Sequence, residues 1–125
     1  LRKRHPSLRR QRFLTGRAQR NDALPDVTWH GERLHQPSWH DPEARLLAYT
    51  LAGSDADEKP LHIILNMWWE PRTVDVPSVP GCAWRLAVDT ALTAPDDVSP
   101  LAEQTVNVYH GYVAQPRSVV VLEAH

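Results

Sequence analysis

The sequence predicts an all-β protein, an antiparallel β-sandwich with a short truncated helix at its N-terminus. Eleven prolines are spread over 125 residues, and each proline removes a backbone donor and blocks the continuation of a helix. About seven short segments rich in β-formers recur at intervals of roughly ten residues, which is typical of a sandwich or barrel. With 42% hydrophobic residues and a net charge of −1, the chain is expected to fold around one core.

The expected elements follow one another without an internal repeat. "LRKRHPSLRR" contains helix-forming residues, but Pro6 disfavours the helical conformation of His5, so we expect the end of a helix followed by an extended or single-turn continuation. The segment at 61–69 is apolar on both faces, as expected for a central strand between two layers. In 82–90, alternation places Cys82, Trp84, Leu86 and Val88 on one face and Ala83, Arg85, Ala87 and Asp89 on the other. The predicted strands lie at residues 26–30, 45–53, 61–69, 72–77, 82–90, 105–114 and 117–124.

Composition and charge narrow the classes of protein that fit. Cys82 is the single cysteine, so we expect no internal disulfide, and a cytoplasmic location is compatible with this. No apolar run exceeds four residues, far below the roughly 20 needed to cross a bilayer, so no membrane partner is expected. Residues 1–20 carry eight of the fourteen basic residues and no acid. No aromatic residue interleaves with them before Phe13, so we interpret them as the solvent face of a helix in a larger protein rather than as a nucleic-acid-binding arm.

The stretch "VTWHGERLHQPSWHDPEAR" at 27–45 resembles a chemical site but lacks the spacing of one. His30, His35 and His40 are five residues apart, which matches neither helical nor strand periodicity, so no metal site is expected. The acids lie mostly in turns such as "SDADE" and "APDD", where solvated charge is the usual state. No nucleophile elbow or phosphate loop is present, so we predict no catalytic residue and no cofactor.

The five tryptophans carry the remaining candidate function. We expect Trp29, Trp69 and Trp84 to fill the interior of the sandwich. Trp68 and Trp69 are adjacent, so on a strand they must point to opposite faces, and one of them is expected outside the core. Exposed aromatic rings present a flat apolar face to sugar rings. Trp39 and Trp68 are therefore the candidates for a carbohydrate-binding surface.

Several phrases together resemble the C-terminal domain of bacterial glycogen debranching enzymes and isoamylases, members of the α-amylase superfamily. They are "LRKRHPSLRRQRFLTGR" at 1–17, "DVTWHG" at 26–31, "SWHDPEARLLAYTLAG" at 38–53, "LHIILNMWWEPRTVDVP" at 61–77, "WRLAVDT" at 84–90 and "YVAQPRSVVVLEA" at 112–124. The resemblance runs nearly from end to end and in order. Two places depart from the family pattern: the loop "GERLHQPS" is shorter, and "MWW" at 67–69 stands where smaller residues or histidines are frequent.

The resemblance implies a division of the chain and a role for it. Residues 1–12 would be the remnant of the last helix of an (α/β)8 barrel with its linker, and 13–125 a sandwich of the α-amylase C-terminal type. The family's catalytic aspartate, glutamate and second aspartate lie in the barrel, so this chain alone is expected to be inactive. Its partner would be that barrel, in a parent that hydrolyses α-1,6 branch linkages of glycogen-like glucans. The alternative is a carbohydrate-binding module that binds α-glucan through Trp39 or Trp68.

Overall fold

A computed structural model of the protein describes residues 1–18 and 24–125. These residues form short strands joined by turns, together with two single 3-10 turns at Pro6–Arg9 and Leu101–Glu103. The strands are β1 (Val27–His30), β2 (Leu46–Leu51), β3 (Leu61–Asn66), β4 (Arg72–Asp75), β5 (Trp84–Asp89), β6 (Asn107–Val108), β7 (Gly111–Ala114) and β8 (Ser118–Ala124).

The strands build two antiparallel sheets of unequal size. The large sheet has the order β1-β2-β3-β8-β5-β6, and the small sheet pairs β4 with β7. β3 and β8 lie at the centre of the large sheet, and nearly every residue in them is buried. Burial on both faces of β3 matches its largely apolar sequence, in which His62 and Asn66 are the buried polar residues. The prediction of an all-β antiparallel sandwich with a central strand beginning at Leu61 is confirmed.

The main core lies between the two sheets. Val74 of β4 and Ala114 of β7 are fully buried against the inner face of the large sheet. Trp84 is 4% exposed, and its indole N–H donates to the Pro77 carbonyl at 2.6 Å, so the one polar atom of this ring is satisfied inside the core. Trp84 therefore fills the interior as its position in the alternating pattern predicts. The remaining members of this core are Leu46, Ala48, Ile64, Val76, Leu86, Val108, Val120, Leu122 and Ala124.

The opposite side of the large sheet is also apolar and is only partly covered. Strand pairing places rows of side chains side by side on it, one of which runs from Trp29 through Tyr49 and Ile63 to Val121. A second row, two residues away from the first along each strand, joins Leu47, Leu65 and Val119. We call the incompletely buried members of these rows the apolar face: Trp29, Leu47, Tyr49, Leu65, Val88 and Val119.

A β-bulge in β5 changes which residues face the core. Leu86 pairs with Leu122, but Val88 pairs with Val121 and Asp89 with Val120, so one extra residue is accommodated between Leu86 and Val88. The alternation predicted for 82–90 therefore holds only as far as the bulge. Beyond it Val88 joins the apolar face, and Asp89 is 2% exposed on the inner side, where its carboxylate accepts the Tyr112 hydroxyl of β7.

The N-terminal segment packs on the apolar face. The His5 N–H donates to the Leu1 carbonyl at 3.2 Å, which closes one helical turn, and the 3-10 turn at Pro6–Arg9 follows. Leu1 and Leu8 contact the cluster that contains Leu61 and Val121. The sequence predicts a truncated helix here, whereas the described residues form only this turn and the 3-10 turn. Arg20, the last residue of the basic arm, lies outside the described residues.

Candidate functional site

Two buried carboxylates beneath the N-terminal segment are the first candidates for chemistry. Glu58 and Glu123 are 8% and 3% exposed, and the His5 imidazole lies between them. His5 Nε2 is 2.6 Å from a Glu123 oxygen, and Nδ1 is 3.4 Å from a Glu58 oxygen. Glycosidases use a pair of carboxyl groups, one of which must hold a proton for the leaving oxygen.

Hydrogen bonding keeps both of these carboxylates ionised. Burial alone would raise the pKa of Glu123, but hydrogen bonds from Arg4, Gln104 and His5 outweigh it and lower that pKa to about 2. Burial likewise opposes ionisation of Glu58, yet Ser7 and the Ser54 N–H donate to its carboxylate and leave its pKa below the ordinary value. Neither group can act as a general acid near neutral pH. The pair attaches the N-terminal segment to the sandwich.

Glu58 departs from the expectation that acids in the "SDADE" loop are solvated. Gly53 makes its burial feasible, because a Cβ at Gly53 would collide with the backbone of Glu58. The Asp55 carboxylate accepts the Glu58 N–H at 2.9 Å, which turns the loop back toward the sheet. Asp55 and Asp57 themselves are exposed, as predicted.

Histidines of the 27–45 stretch join side chains of β2 and β3 in a buried polar row, which does not have the arrangement of a metal site. The Thr50 hydroxyl lies 3.2 Å from His30 Nε2 and 3.0 Å from His62 Nδ1, and the His35 N–H donates to His30 Nδ1. Burial lowers the pKa of His30 to about 4 and that of His62 to about 3, so both rings are neutral at pH 7. His40 is exposed and apart from this row. Within residues 1–18 and 24–125, no three potential ligands converge as a metal ion requires.

The tryptophans are arranged differently from the prediction. The sequence pattern places Trp29 and Trp69 inside, but they are 37% and 63% exposed. β3 ends at Asn66 rather than at 69, so Trp68 and Trp69 lie in a bend and are not alternating residues of a strand. Trp68 packs partly against the core with the Arg72 guanidinium 4.4 Å from its ring centre. Trp39 is 57% exposed and meets Trp29 edge to face at 5.3 Å.

Asn66 explains why the strand stops and why the bend is well defined. Its side-chain oxygen accepts the Trp68 N–H at 3.0 Å. Its amide nitrogen donates to the carbonyls of Glu70, Ala114 and Gln115 at 3.0–3.2 Å. The buried amide therefore ties the bend at 67–70 to the end of β7, and the tryptophan pair is held by backbone contacts rather than by packing alone.

The bend and the loop at 31–45 enclose a polar cavity, which we call the tryptophan cleft. Its volume is about 320 Å³. The loop wall is held by a 2.7 Å hydrogen bond from the Asp75 N–H to the Glu32 carbonyl. Arg45 lines the cleft, and its guanidinium lies 5.6 Å from the centre of the Trp69 ring outside. Its polar and aromatic lining side chains are Glu32, Arg33, Gln36, Ser38, Asp41, Arg45, Trp68 and Arg72.

A second cavity, the apolar groove, borders the cleft and shares Ser38, Asp41 and Arg45 with it. Trp39, Leu47, Leu65 and Met67 line its volume of about 450 Å³. Leu47 and Leu65 also belong to the apolar face, so the groove extends that face toward the loop. The two sequence-derived candidates are therefore separated: Trp68 lines the cleft and Trp39 the groove. Sugar binding by either residue stays a prediction.

Sequence reasoning missed the polar side chains around these tryptophans. Gln36, Asp41 and Arg45 lie in a segment whose sequence indicates a structural connection, and only its fold against the 67–70 bend makes them neighbours of Trp68. The sequence contains one sign of the bend, which is "WWE" directly after an apolar strand. Two tryptophans beside an acidic residue rarely continue a buried strand.

Comparison with known protein families covers most of this domain. The family described as "Isoamylase 1-3, C-terminal" matches residues 28–119, a range that runs from β1 into β8 and includes both cavities. The chain belongs to this family. No curated protein matches it. As an isoamylase C-terminal domain, the chain is an accessory domain of an isoamylase-type enzyme. Its described residues contain no helix with the length and apolar character needed to cross a bilayer.

Proposed function

We propose that this isoamylase C-terminal domain packs on the (α/β)8 catalytic barrel of a cytoplasmic debranching enzyme and stabilises it. The barrel would hydrolyse the α-1,6 branch linkages of glycogen-like glucans, while this chain supplies no catalytic group. The apolar face is the observation that carries the proposal. A sheet face with half-buried tryptophan, tyrosine and leucine side chains favours a covering protein surface.

The position of the N-terminal segment supports the barrel as the covering surface. By resemblance, residues 1–17 end the last barrel helix. Leu1 and Leu8 lie on the same side of the large sheet as the apolar face, and Arg4 donates to Glu123 there at 2.9 Å. A barrel continuous with this segment would meet the uncovered rows beside it.

Substitution of Leu65 tests the proposed contact. Leu65→Lys places a charge on the apolar face, and we expect it to weaken the domain contact by about 2 kcal/mol, because a partly exposed leucine would lose its remaining burial and a charge would enter the interface. Thermal unfolding is measured for the 125-residue chain alone and for the chain joined to its barrel. The unfolding temperature of the joined protein should fall more than that of the chain alone.

Val113→Lys is the matched control, because Val113 is 50% exposed on β7 of the small sheet, away from the apolar face. It should shift neither temperature appreciably. If Leu65→Lys destabilises the two forms equally, the apolar face does not contact the barrel. A reducing-sugar assay on glycogen gives a second test, and debranching by the isolated chain would contradict an accessory role.

A second candidate function, binding of α-glucan, is favoured by the tryptophan cleft. Its combination of an aromatic ring with donors and acceptors suits a polyhydroxylated ligand. The two functions are compatible, because the cleft and the apolar face are separate surfaces.

A further inference from the structure

We propose that the tryptophan cleft is a glucan-binding subsite in which Trp69, rather than Trp39 or Trp68, is the stacking ring. The choice of an α-glucan as ligand rests on the proposed function. The choice of this cleft and of Trp69 rests on the geometry of the described residues.

The arrangement of the tryptophan rings selects Trp69. Trp68 is covered, since its ring packs partly against the core and carries the Arg72 guanidinium at 4.4 Å. Trp69 lies edge to face with Trp68 at 5.2 Å and remains 63% exposed. The Arg45 guanidinium lines the cleft and lies over one face of the Trp69 ring at 5.6 Å, farther away than Arg72 is from Trp68, and most of the Trp69 ring stays exposed. A sugar ring stacked on Trp69 would therefore have the cleft directly beside it.

The polar groups of the cleft match hydroxyl groups better than other ligands. Arg45 and Gln36 offer donors, Asp41 and Glu32 offer acceptors, and Ser38 offers both. Three arginines (Arg33, Arg45 and Arg72) and two carboxylates (Glu32 and Asp41) line the cleft, and Arg72 pairs with Glu32 at 3.3 Å, so opposite charges nearly balance and favour a neutral polar ligand. The charged walls disfavour an apolar one. A volume of about 320 Å³ lies at the lower end of the roughly 300–1,000 Å³ typical of small-molecule sites, which suits a short stretch of sugar rings.

The cleft is also held in shape before any ligand binds. Asn66 fixes the bend that bears both tryptophans, and the Arg117 N–H donates to the Trp68 carbonyl at 3.1 Å. On the other wall, the Asp41 carboxylate accepts the Glu43 N–H at 2.9 Å and orders the turn. A preformed site loses little conformational entropy on binding, which favours a weakly interacting ligand such as a neutral sugar.

Two exposed tryptophans provide a matched comparison. Maltoheptaose is titrated into the unchanged chain and into the Trp69→Ala and Trp39→Ala variants, with affinity measured by calorimetry and the indole N–H signals followed by NMR. Both residues are more than half exposed, so neither substitution should unfold the chain. We expect Trp69→Ala to weaken binding by about tenfold, in line with the loss of a stacked aromatic contact. Trp39→Ala should leave the affinity unchanged, and the indole signals that shift should be those of Trp68 and Trp69.

The polar wall is tested separately. Gln36→Ala and Arg45→Ala should each weaken maltoheptaose binding by about fivefold, the effect of one hydrogen bond of ordinary strength. Gln115→Ala, an exposed glutamine outside the cleft, should have no effect. Cellohexaose, with β-linkages, should bind more weakly than maltoheptaose.

Several results would overturn the inference. They are an absence of binding at millimolar maltoheptaose, an equal loss in Trp39→Ala, or equal affinity for cellohexaose. None of these would affect the apolar face, whose contact with the barrel is measured by Leu65→Lys. Conversely, maltoheptaose binding with no selective effect of Leu65→Lys would support the cleft and contradict the barrel contact.

Discussion

Glu123→Gln is the substitution that most directly tests how the N-terminal segment is attached. In the folded chain the Glu123 carboxylate accepts hydrogen bonds from Arg4 at 2.9 Å and from Gln104 at 2.8 Å, and it lies 2.6 Å from His5 Nε2. A glutamine has nearly the same shape but carries no charge and offers one acceptor oxygen. The variant therefore removes the charged hydrogen bonds and leaves the packing almost unchanged.

The expected loss of stability follows from the pKa of this group. The pKa of a free glutamate is 4.5 and that of Glu123 is about 2. At about 1.4 kcal/mol for each pH unit, the ionised side chain contributes about 3 kcal/mol to the free energy of unfolding at pH 7. Because the folded pKa is the lower one, this contribution is present above pH 4.5 and is lost as the pH falls toward 2.

Urea unfolding at pH 7 and at about pH 3 provides the assay. We expect Glu123→Gln to be less stable than the unchanged chain by about 3 kcal/mol at pH 7 and by only about 1 kcal/mol at pH 3. Glu43→Gln, at an exposed loop position, should change stability by less than about 0.5 kcal/mol at either pH. A deficit for Glu123→Gln that is the same at both pH values would refute the assignment of its stabilising effect to charge.

Two further substitutions address the other buried polar groups. Asn66→Ala should lower the free energy of unfolding by about 3 kcal/mol, because it removes the donor to three carbonyls and the acceptor of the Trp68 N–H. Gln115→Ala is its control, and comparable urea midpoints for the two variants would contradict the role given to Asn66. His62, with a pKa of about 3 in place of 6.5, contributes stability that is present above pH 6.5 and lost as the pH falls toward 3. The free energy of unfolding should therefore fall less between pH 7 and pH 5 in His62→Gln than in the unchanged chain, by about 2 kcal/mol. Unfolding is followed by circular dichroism at both pH values. An equal fall in the two proteins would show that the ring does not gain a proton on unfolding.

The strands could be predicted because their signals are local. The largely apolar run that begins at Leu61 identifies a strand buried on both faces, and proline and glycine mark most of the turns. The strand boundaries are harder to predict, since Asn66 ends β3 through contacts with Ala114 and Gln115, which are distant in sequence. A pattern confined to one short segment contains no information about such a partner.

The buried charges and the cleft could not be predicted for the same reason. His5 and Glu123 are separated by 118 positions, and the only local sign of their contact is a glutamate within the apolar "SVVVLEA". Likewise Arg45 becomes a neighbour of Trp69 only when the loop folds against the bend. The family resemblance indicates the architecture, but the cleft includes the two segments that depart from the family pattern.

The β-bulge in β5 gives this strand one residue more than its pairing with β8 requires. Removal of one codon at Ala87 would restore regular pairing and leave Val88 opposite Val121 and Asp89 opposite Val120, so the Asp89 carboxylate would still face the Tyr112 hydroxyl. Selection should therefore tolerate the loss of this one residue more readily than a two-residue deletion, which would shift Asp89 relative to β8. Among natural variants of this domain, a one-residue gap within β5 should fall at the bulge, in the three residues from Leu86 to Val88.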